Sequence, residues 1–332
     1  MSKIKYNWAT LGVGVIGHQL VEAVQKLGGN LYSVGNRTKS KADEFAAKYN
    51  IGKVYDNIDD MFDDDNVDIV YISTPHNTHI NYLRKALSAG KHVLCEKSIT
   101  LNSTELKEAV EIAKSKNLIL AEAMTIYHMP IYKKLNEIIK SGALGELRLI
   151  QMNFGSYKEY NMKNRFFNRN LAGGAMLDIG VYALSFVRWF MSSTPAEILS
   201  QVKYAPTGVD EQASILLKNK EEEMATVILS LHAKQPKRGT IAFDKGYIEI
   251  FEYPRSCKAT IVWTEDNRRE EITAGDTSEA LCYEVLDTEA AVSGERNEMH
   301  LDYTIEVMDI MTKIRNDWGM KYPEEEGIIR NA

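Results

Sequence analysis

A glycine-rich loop near the N-terminus constrains the fold of this chain more than any other feature of its sequence. The loop, Gly12-Val13-Gly14-Val15-Ile16-Gly17, follows a short apolar stretch and precedes an amphipathic one. Its three glycines suit a tight turn, close approach of the backbone to a pyrophosphate, and packing of a helix on a strand, in that order. A glycine turn without a ligand is the alternative, but a strand before the loop and a helix after it are the context that dinucleotide binding requires. We therefore expect dinucleotide contacts at Gly12, Gly14, Val15, Ile16 and Gly17.

The pattern of apolar residues divides the chain near residue 124. Up to residue 123, short apolar runs alternate with helical patterns, which is typical of βαβ units in a parallel sheet covered on both faces. Beyond it, strand patterns follow one another directly, apart from a strong helical pattern at Ala175–Phe190. We predict an α/β protein with an N-terminal Rossmann domain, a doubly wound parallel sheet, at 1–123. At 124–332 we predict an α+β domain with an open, largely antiparallel sheet.

The residues after the second strand decide between two forms of the cofactor. NAD enzymes usually place Asp or Glu there, whose carboxylate accepts hydrogen bonds from the ribose 2′-hydroxyl. This chain has Asn36, Arg37 and Thr38, followed by Lys41. Cations and hydroxyl donors bind a 2′-phosphate, which a carboxylate would repel, so the sequence favours NADP over NAD. The alternative is that these residues are the solvated start of a helix capped by Thr38.

Charge, hydropathy and cysteine spacing argue against several other classes of protein. The chain has 40 Lys plus Arg and 46 Asp plus Glu, a net charge of −6, which argues against a nucleic acid partner. No apolar run reaches the ~20 residues of a membrane-spanning helix, and no signal-peptide core precedes the first strand, so we expect a cytoplasmic protein without a membrane partner. Three widely spaced cysteines fit reduced thiols better than disulfides or a zinc site.

The loop after the fourth predicted strand should border the cofactor. It contains Ser73, Thr74 and Pro75, with His76 and His79 shortly after them. Ligands of doubly wound sheets lie beyond the carboxyl ends of the strands, and this loop follows such an end. The two histidines have no third candidate ligand near them, so we expect no metal. The alternative for His79 is that it simply begins a helix.

Polar residues in apolar surroundings are the candidates for catalysis. Glu96 and Lys97 end the fifth strand, where side-chain alternation places them on opposite faces, with Lys97 towards the nicotinamide crevice. Asp178 and Tyr182 lie four residues apart, on one face of the apolar helix. The alternatives are that Lys97 is a solvated charge, that Asp178 is an early-turn charge favoured by the helix dipole, and that Tyr182 is a core aromatic residue.

Five motifs follow one another in a characteristic order: GVGVIG, the Thr74-Pro75 loop with His79, Cys95-Glu96-Lys97, Ala121-Glu122-Ala123 and GGAMLDIGVY. Together they resemble the glucose-fructose oxidoreductase/inositol dehydrogenase (Gfo/Idh/MocA) family. Within that family, the stretches VGNRTKSKADEFAAKY, CEK, GALGELRLI and GGAMLDIGVY most resemble the dimeric dihydrodiol dehydrogenase branch, which uses NADP. The resemblance implies a Rossmann domain followed by an α/β domain with an open sheet. It also implies that Lys97 lies near nicotinamide and substrate and that Asp178 lies on the substrate side of its helix. Tyr182 falls where this branch has a tyrosine and many members have a catalytic histidine.

The chain departs from the family pattern in two places. Ser98 replaces the proline that follows the family's lysine, and a cis bond before a residue other than proline costs ~3–4 kcal/mol, so we do not expect a cis bond there. Residues 122–128 lack the tryptophan and arginine of the dihydrodiol branch, which indicates a different substrate pocket. The candidate substrate contacts, from this stretch and from the polar loop before GGAMLDIG, are Glu122, Tyr127, His128, Arg165, Phe166, Asn168 and Arg169.

We expect an NADP-dependent oxidoreductase that transfers a hydride between nicotinamide and a carbinol or carbonyl carbon of a sugar-like or vicinal-diol substrate. Tyr182 would exchange the hydroxyl proton, Lys97 would lower the pKa of that phenol, and Asp178 would orient the substrate. Proton transfer by Lys97 itself is the closest alternative. Two rival functions are a binding protein that senses NADP(H) without turnover and a biliverdin-reductase-like enzyme of the same family. Apolar side chains on the open face of the second sheet predict a homodimer through that face.

Overall fold

The computed structural model describes residues 3–327, and the chain divides into two compact units. The first unit consists of the residues up to Met124 together with Ser278–Leu301. The second consists of Thr125–Thr277 together with the residues from Asp302 onward. The division predicted from the sequence did not include the return of residues 278–301 to the first unit. Helical periodicity shows that a segment has an apolar face but does not show which sheet or helix will cover it.

The first unit is built around a sheet of six parallel strands. The strands lie in the order 3-2-1-4-5-6, which is the order of a Rossmann fold. Every neighbouring pair is parallel. All residues of the first, fourth and sixth strands are buried, which explains their nearly continuous apolar sequences. The strands are β1 (Trp8–Leu11), β2 (Ser33–Gly35), β3 (Lys53–Val54), β4 (Ile69–Ile72), β5 (His92–Glu96) and β6 (Leu120–Ala123). The helices are α1 (Val15–Lys26), α2 (Lys39–Tyr49), α3 (Asp59–Phe62), α4 (His79–Ser88) and α5 (Ser103–Ser115).

The second unit is built around an eight-stranded sheet. Its strands are β7 (Leu147–Gly155), β8 (Glu197–Tyr204), β9 (Asp210–Lys218), β10 (Met224–Ser230), β11 (Gln235–Phe243), β12 (Gly246–Phe251), β13 (Lys258–Trp263) and β14 (Arg269–Thr273). They lie in the order β14-β13-β12-β11-β7-β10-β9-β8. The predicted largely antiparallel sheet is confirmed, with one parallel pair, β7 and β10. The edge strand β14 was not predicted, because only Ile272 of its five residues is buried and the charged residues around it hide the strand pattern.

Helices cover one face of this second sheet. They are α6 (Thr125–His128), α7 (Pro130–Lys140) and α8 (Val181–Phe190). The sequence predicted one helix over Ala175–Phe190, but its first part, Met176–Gly180, is a π-helical turn. Phe186 of α8 packs against Tyr132 and Tyr253, with ring centroids 6.0 and 5.3 Å apart. These aromatic contacts form the core between α8, α7 and the sheet.

The last two helices are α9 (Ala280–Val292) and α10 (Leu301–Asp317). α9 packs against α1 in the first unit, where its Glu289 carboxylate is buried. The indole Nε1 of Trp8 donates a hydrogen bond to Glu289 Oε1 at 2.7 Å, and the backbone N–H of Lys5 donates to Oε2 at 2.9 Å. A buried carboxylate needs such donors, so these two bonds tie α9 to the chain segment that leads into β1.

One helical stretch among residues 3–327, Arg169–Phe190, is long and apolar enough to cross a membrane by length and composition. In its most apolar window, 83% of the residues are buried inside the protein. Core helices of soluble proteins pass the same criterion, so this stretch is only a weak indication of a membrane span.

Candidate functional site

The glycine loop has the geometry that its sequence predicted. Gly12 has a φ of +108°, and a Cβ built there would lie 2.7 Å from Ser73 Oγ. A Cβ at Gly17 would lie 2.9 Å from the carbonyl oxygen of Gly12. A Cβ at Gly14, in contrast, would have no protein atom within 4 Å. The first and third glycines are therefore required by packing within the protein, whereas the middle one fits a requirement set by a ligand that approaches the backbone.

The first turn of α1 offers backbone donors to an anion. The helix begins at Val15, and Gly14, the residue that precedes it, supplies no side-chain cap. The first turn contains no acidic residue, and the side chain of Val15 is 79% exposed. The amide groups at the start of a helix lack partners within the helix and carry its positive dipole end. These residues fit the pyrophosphate of a dinucleotide.

The segment after β2 is exposed and cationic. Asn36 Nδ2 donates to the carbonyl oxygen of Thr38 at 2.9 Å, which shapes the turn into α2. Thr38 precedes α2, but its side chain makes no capping hydrogen bond, in contrast to the alternative considered for this residue. Arg37 and Lys41 are exposed. They fit the phosphate role for which the sequence singled them out.

The loop after β4 is bonded to the glycine loop. The backbone N–H of Ser73 donates to the carbonyl oxygen of Leu11 at 2.9 Å, and Ser73 Oγ lies 3.3 Å from the carbonyl oxygen of Gly12. Further along, Thr78 Oγ1 donates to Thr74 Oγ1 at 2.8 Å. The carboxyl ends of β1 and β4 thus form one surface at the edge of the first sheet, where ligands of doubly wound sheets bind.

Two histidines of this loop hold the segment that follows β5. Nε2 of His76 lies 3.0 Å from the carbonyl oxygen of Lys97, and Nδ1 of His79 lies 3.0 Å from that of Ser98. Nε2 of His79 also lies 2.8 Å from the carbonyl oxygen of Thr74. Burial lowers the pKa of His79 in spite of these carbonyl contacts. His79 is both the first residue of α4 and a bridge between two loops.

The peptide bond between Lys97 and Ser98 is cis, so the expectation that serine would prevent this geometry is wrong. Hydrogen bonds from three directions hold the segment. His76 and His79 contact the carbonyl oxygens of Lys97 and Ser98, and the backbone N–H of Ile99 donates to Glu122 Oε1 at 3.0 Å. The sequence contains no local signal for this geometry, because the groups that hold it come from elsewhere in the chain.

Glu122 and Glu96 have partners within the first unit. The side chain of Glu122 is 1% exposed and bonds the segment after Lys97. In the structure Glu122 holds the backbone of this segment, whereas the sequence suggested that it contacts the substrate. The Tyr71 hydroxyl donates to Glu96 Oε1, and the backbone N–H of Lys97 lies 3.3 Å from Glu96 Oε2. Lys97 itself is half-buried. Among residues 3–327, no three His, Cys, Asp or Glu side chains lie close enough to hold a metal ion.

In the second unit, Asp178 and Tyr182 lie on consecutive turns. Asp178 belongs to the π-helical turn, is 9% exposed and forms an ion pair with Arg165, with Nη1 3.1 Å from Oδ1. Tyr182 is the one residue of α8 that is not buried, and its ring centroid lies 6.2 Å from that of Phe154. This partial exposure separates Tyr182 from the core aromatic residues of the same helix and agrees with a functional role.

The remaining substrate candidates differ in their surroundings. Tyr127 is buried among aromatic rings, 5.7 Å from Trp189 and 6.0 Å from Tyr303, and His128 is 1% exposed. Aromatic packing accounts for the place of Tyr127, and burial separates His128 from solvent. In the polar loop, the guanidinium of Arg165 lies 4.3 Å from the Phe166 ring centroid, Asn168 Oδ1 accepts from the backbone N–H of Asn170, and Arg169 bonds the carbonyl oxygen of Lys321.

Comparisons with known proteins decide the family. A family model described as an oxidoreductase family with an NAD-binding Rossmann fold matches residues 6–124, and the C-terminal domain of the same family matches residues 132–249. A trans-1,2-dihydrobenzene-1,2-diol dehydrogenase from Homo sapiens is 31% identical over 260 residues, 77% of each chain. The chain belongs to the Gfo/Idh/MocA family.

Other known proteins are similar to this chain over nearly its whole length. The trans-1,2-dihydrobenzene-1,2-diol dehydrogenase from Sus scrofa is 27% identical over 96% of this chain and 99% of its own. A 3-ketoreductase from Actinomadura kijaniata, solved with NADP and TDP-benzene, has a TM-score of 0.84 at 19% identity and covers 94% of this chain and 98% of its own. An aldose-aldose oxidoreductase from Caulobacter crescentus has a TM-score of 0.82 at 21% identity, with 96% and 99% covered.

These findings confirm the predicted family, fold and class of activity. As a Gfo/Idh/MocA protein, the chain is an oxidoreductase with a Rossmann domain for a nicotinamide dinucleotide. The solved structures share its fold. The sequence did not single out Asp210 and Tyr322, which bond Met176 and Gly173 just before Asp178 in the chain. Asp210 begins β9, a strand in which five of the nine residues are polar or charged, so no local pattern singles it out.

Proposed function

We propose that the protein is an NADP-dependent dehydrogenase that oxidises a secondary hydroxyl of a vicinal diol or sugar-like substrate, or reduces the matching ketone. The observation that carries the proposal is the pair on the π-helical turn and α8: a nearly buried carboxylate, Asp178, held by Arg165, and the partly exposed phenol of Tyr182. A binding protein that only senses the cofactor has no use for this pair. Dihydrodiol and sugar oxidoreductases among the relatives support the substrate class.

Tyr182 is the proposed proton carrier. In the oxidation direction the hydroxyl proton would pass to the phenolate oxygen of Tyr182 as the C=O bond forms, and bound NADP would supply the acceptor for the hydride that leaves the carbinol carbon. An ordinary phenol has a pKa of ~10, so a cation is needed to make the phenolate available near neutral pH. We assign that role to Lys97. Asp178 would accept a hydrogen bond from the substrate hydroxyl and orient it.

The cofactor contacts follow from the first unit. The backbone amides of the glycine loop would bind the pyrophosphate, and Arg37 with Lys41 would bind the 2′-phosphate that distinguishes NADP from NAD. Ser73, Thr74, Pro75 and His79 would border the nicotinamide side, together with Glu96 and Lys97. Bound NADP supplies the hydride acceptor, and all other groups in the proposal belong to the chain.

A screen of NADP⁺ reduction over trans-dihydrodiols, inositols and aldoses, followed by absorbance of NADPH, tests the function. With an active substrate, Tyr182→Phe should lower kcat by about 10²–10⁴-fold, because the proton loses its acceptor. Tyr204→Phe, which also removes one tyrosine hydroxyl of the second unit, is the matched control. NADPH binding without turnover of any substrate class would overturn the proposal in favour of a sensor. If Tyr182→Phe remains nearly active and Lys97→Met changes the pH–rate profile, Lys97 rather than Tyr182 is the proton carrier.

We also propose a cytoplasmic homodimer joined through the second sheet. The sheet face opposite α8 has four exposed apolar side chains on three neighbouring strands: Leu199, Leu216, Met224 and Ile228. Leu199 and Leu216 lie side by side in the register of β8 and β9. Burial of such a patch against a second copy would remove it from water. The three cysteines are unpaired in the structure, which agrees with a reducing compartment.

A further inference from the structure

A double-glycine turn leads into the segment that carries Asp178 and Tyr182. Gly174 has a φ of +127°, and a Cβ built there would lie 2.1 Å from Asp210 Oδ1. The backbone N–H of Gly174 donates to the carbonyl oxygen of Phe166 at 3.0 Å. The turn is thus closely surrounded by protein, so its conformation depends on groups from other parts of the chain.

Asp210 holds the N-terminal side of the π-helical turn. It is the first residue of β9, its side chain is 0% exposed, and Oδ2 accepts a hydrogen bond from the backbone N–H of Met176 at 2.5 Å. Met176 is the first residue of the turn, where backbone N–H groups lack partners within the helix. A carboxylate at this end also interacts favourably with the helix dipole.

Tyr322 bonds the double-glycine turn that precedes the π-helical turn. Its buried hydroxyl donates to the carbonyl oxygen of Gly173 at 2.7 Å. The backbone N–H of Tyr322 in turn donates to Glu325 Oε2 at 2.8 Å, and Arg315 lies over the Tyr322 ring, 4.8 Å from its centroid. Arg315 is 2% exposed and bonds both oxygens of Glu325. Tyr322 is therefore itself fixed by a buried ion pair.

We propose that Asp210 and Tyr322 are positioning residues for the proposed reaction: they clamp the turn at 173–176 and so fix the directions in which Asp178 and Tyr182 project. Neither residue is assigned a contact with the reacting atoms. The clamp itself is a property of the second unit, and only its catalytic consequence rests on the proposed function. Small displacements of groups that act on a substrate lower the rate strongly, so the clamp should act on kcat.

Hydrogen–deuterium exchange and kinetics of the full chain test the clamp. Asp210→Leu and Tyr322→Phe each remove one bond to the turn, whereas Asp210→Asn keeps an oxygen that accepts from Met176. The controls are Glu223→Leu, which removes another buried carboxylate that accepts a backbone N–H, and Tyr132→Phe, which removes another buried hydroxyl bonded to a carbonyl. We expect faster amide exchange over 173–182 in the first two variants, partial rescue by asparagine and no change over 173–182 in the controls.

With an active substrate, Asp210→Leu and Tyr322→Phe should lower kcat about tenfold or more while the Kd for NADPH stays within about twofold, because the glycine loop belongs to the other unit. If exchange over 173–182 is unchanged in both variants, or rises equally in the controls, the clamp is refuted. If no substrate is turned over, the exchange result still decides the clamp, and the proposed function fails separately. If Asp210→Leu does not fold, Tyr322→Phe and Asp210→Asn decide.

Discussion

Individual residues in this protein take their roles from partners far away in the chain. Asp178 and Tyr182 could be singled out from their spacing, yet Asp210 and Tyr322, which bond Met176 and Gly173 just before them, could not. The sequence of β9 mixes polar and apolar residues, so it does not show that the Asp210 carboxyl group is buried or what that group bonds. Glu122 shows the reverse case, because its motif suggested substrate and its buried carboxylate bonds the backbone of Ile99.

At the residue scale, Arg37→Ala should discriminate between the two nicotinamide cofactors. The exposed guanidinium is proposed to bind the 2′-phosphate, which NADPH has and NADH lacks, so the apparent KM for NADPH should rise about tenfold or more with little change for NADH. Steady-state kinetics with both cofactors measure this, with Lys114→Ala, an exposed cation of α5, as the control. Equal increases for both cofactors would contradict the assignment.

The charge state of Asp210 should affect stability. Burial raises its pKa from the ordinary value of 3.8 to about 7, against the lowering effect of the hydrogen bond from Met176. An acid with a raised pKa binds its proton more tightly in the folded state, so the free energy of unfolding should fall as the pH rises between 3.8 and about 7. Asp210→Asn cannot titrate and should show a smaller fall. Urea unfolding across this range measures the difference, and equal falls in both proteins would rule out the raised pKa.

At the scale of elements, α9 is the part that belongs to a different unit from the one in which the division predicted from the sequence placed it. Its helical pattern was visible, but the bonds that draw it to the first unit join Glu289 to Trp8 and Lys5, more than 280 residues away in the chain. The π-helical turn at Met176–Gly180 is a similar case, because apolar periodicity does not distinguish an α-helix from a π-helical turn within it. Bounds of the longer α-helices were predictable, since their caps and periodicity are local.

Loss of the Glu289 carboxylate should destabilise the contact between α9 and β1. In Glu289→Ala, the indole N–H of Trp8 and the backbone N–H of Lys5 lose their acceptor, which should lower the free energy of unfolding by about 1–3 kcal/mol. Urea unfolding followed by tryptophan fluorescence measures this. Glu295→Ala, an exposed residue shortly after the same helix, should leave the transition unchanged. A similar midpoint in both variants would show that the buried bonds add no net stability.

At the scale of the whole molecule, a single chain leaves the apolar side chains on one face of the second sheet exposed to water. We predict a homodimer at micromolar concentration, and Leu216→Glu, which places a charge in the middle of the patch, should shift it towards monomer. Sedimentation velocity measures the change. Ser115→Glu adds the same charge on α5 and should leave the dimer intact. A wild-type protein that sediments as a monomer would refute the dimer.

The sequence by itself determined the two sheets, the glycine loop and its dinucleotide, the family, and the candidates Lys97, Asp178 and Tyr182. These follow from local patterns: turn glycines, apolar periodicity and short motifs whose residues are neighbours in the chain. Only the tertiary structure decided the cis Lys97–Ser98 bond, the place of α9, and the hydrogen bonds of Asp210 to Met176 and of Tyr322 to Gly173. Each of these depends on hydrogen bonds between residues distant in sequence, and a buried donor or acceptor acquires its partner only when the chain has folded.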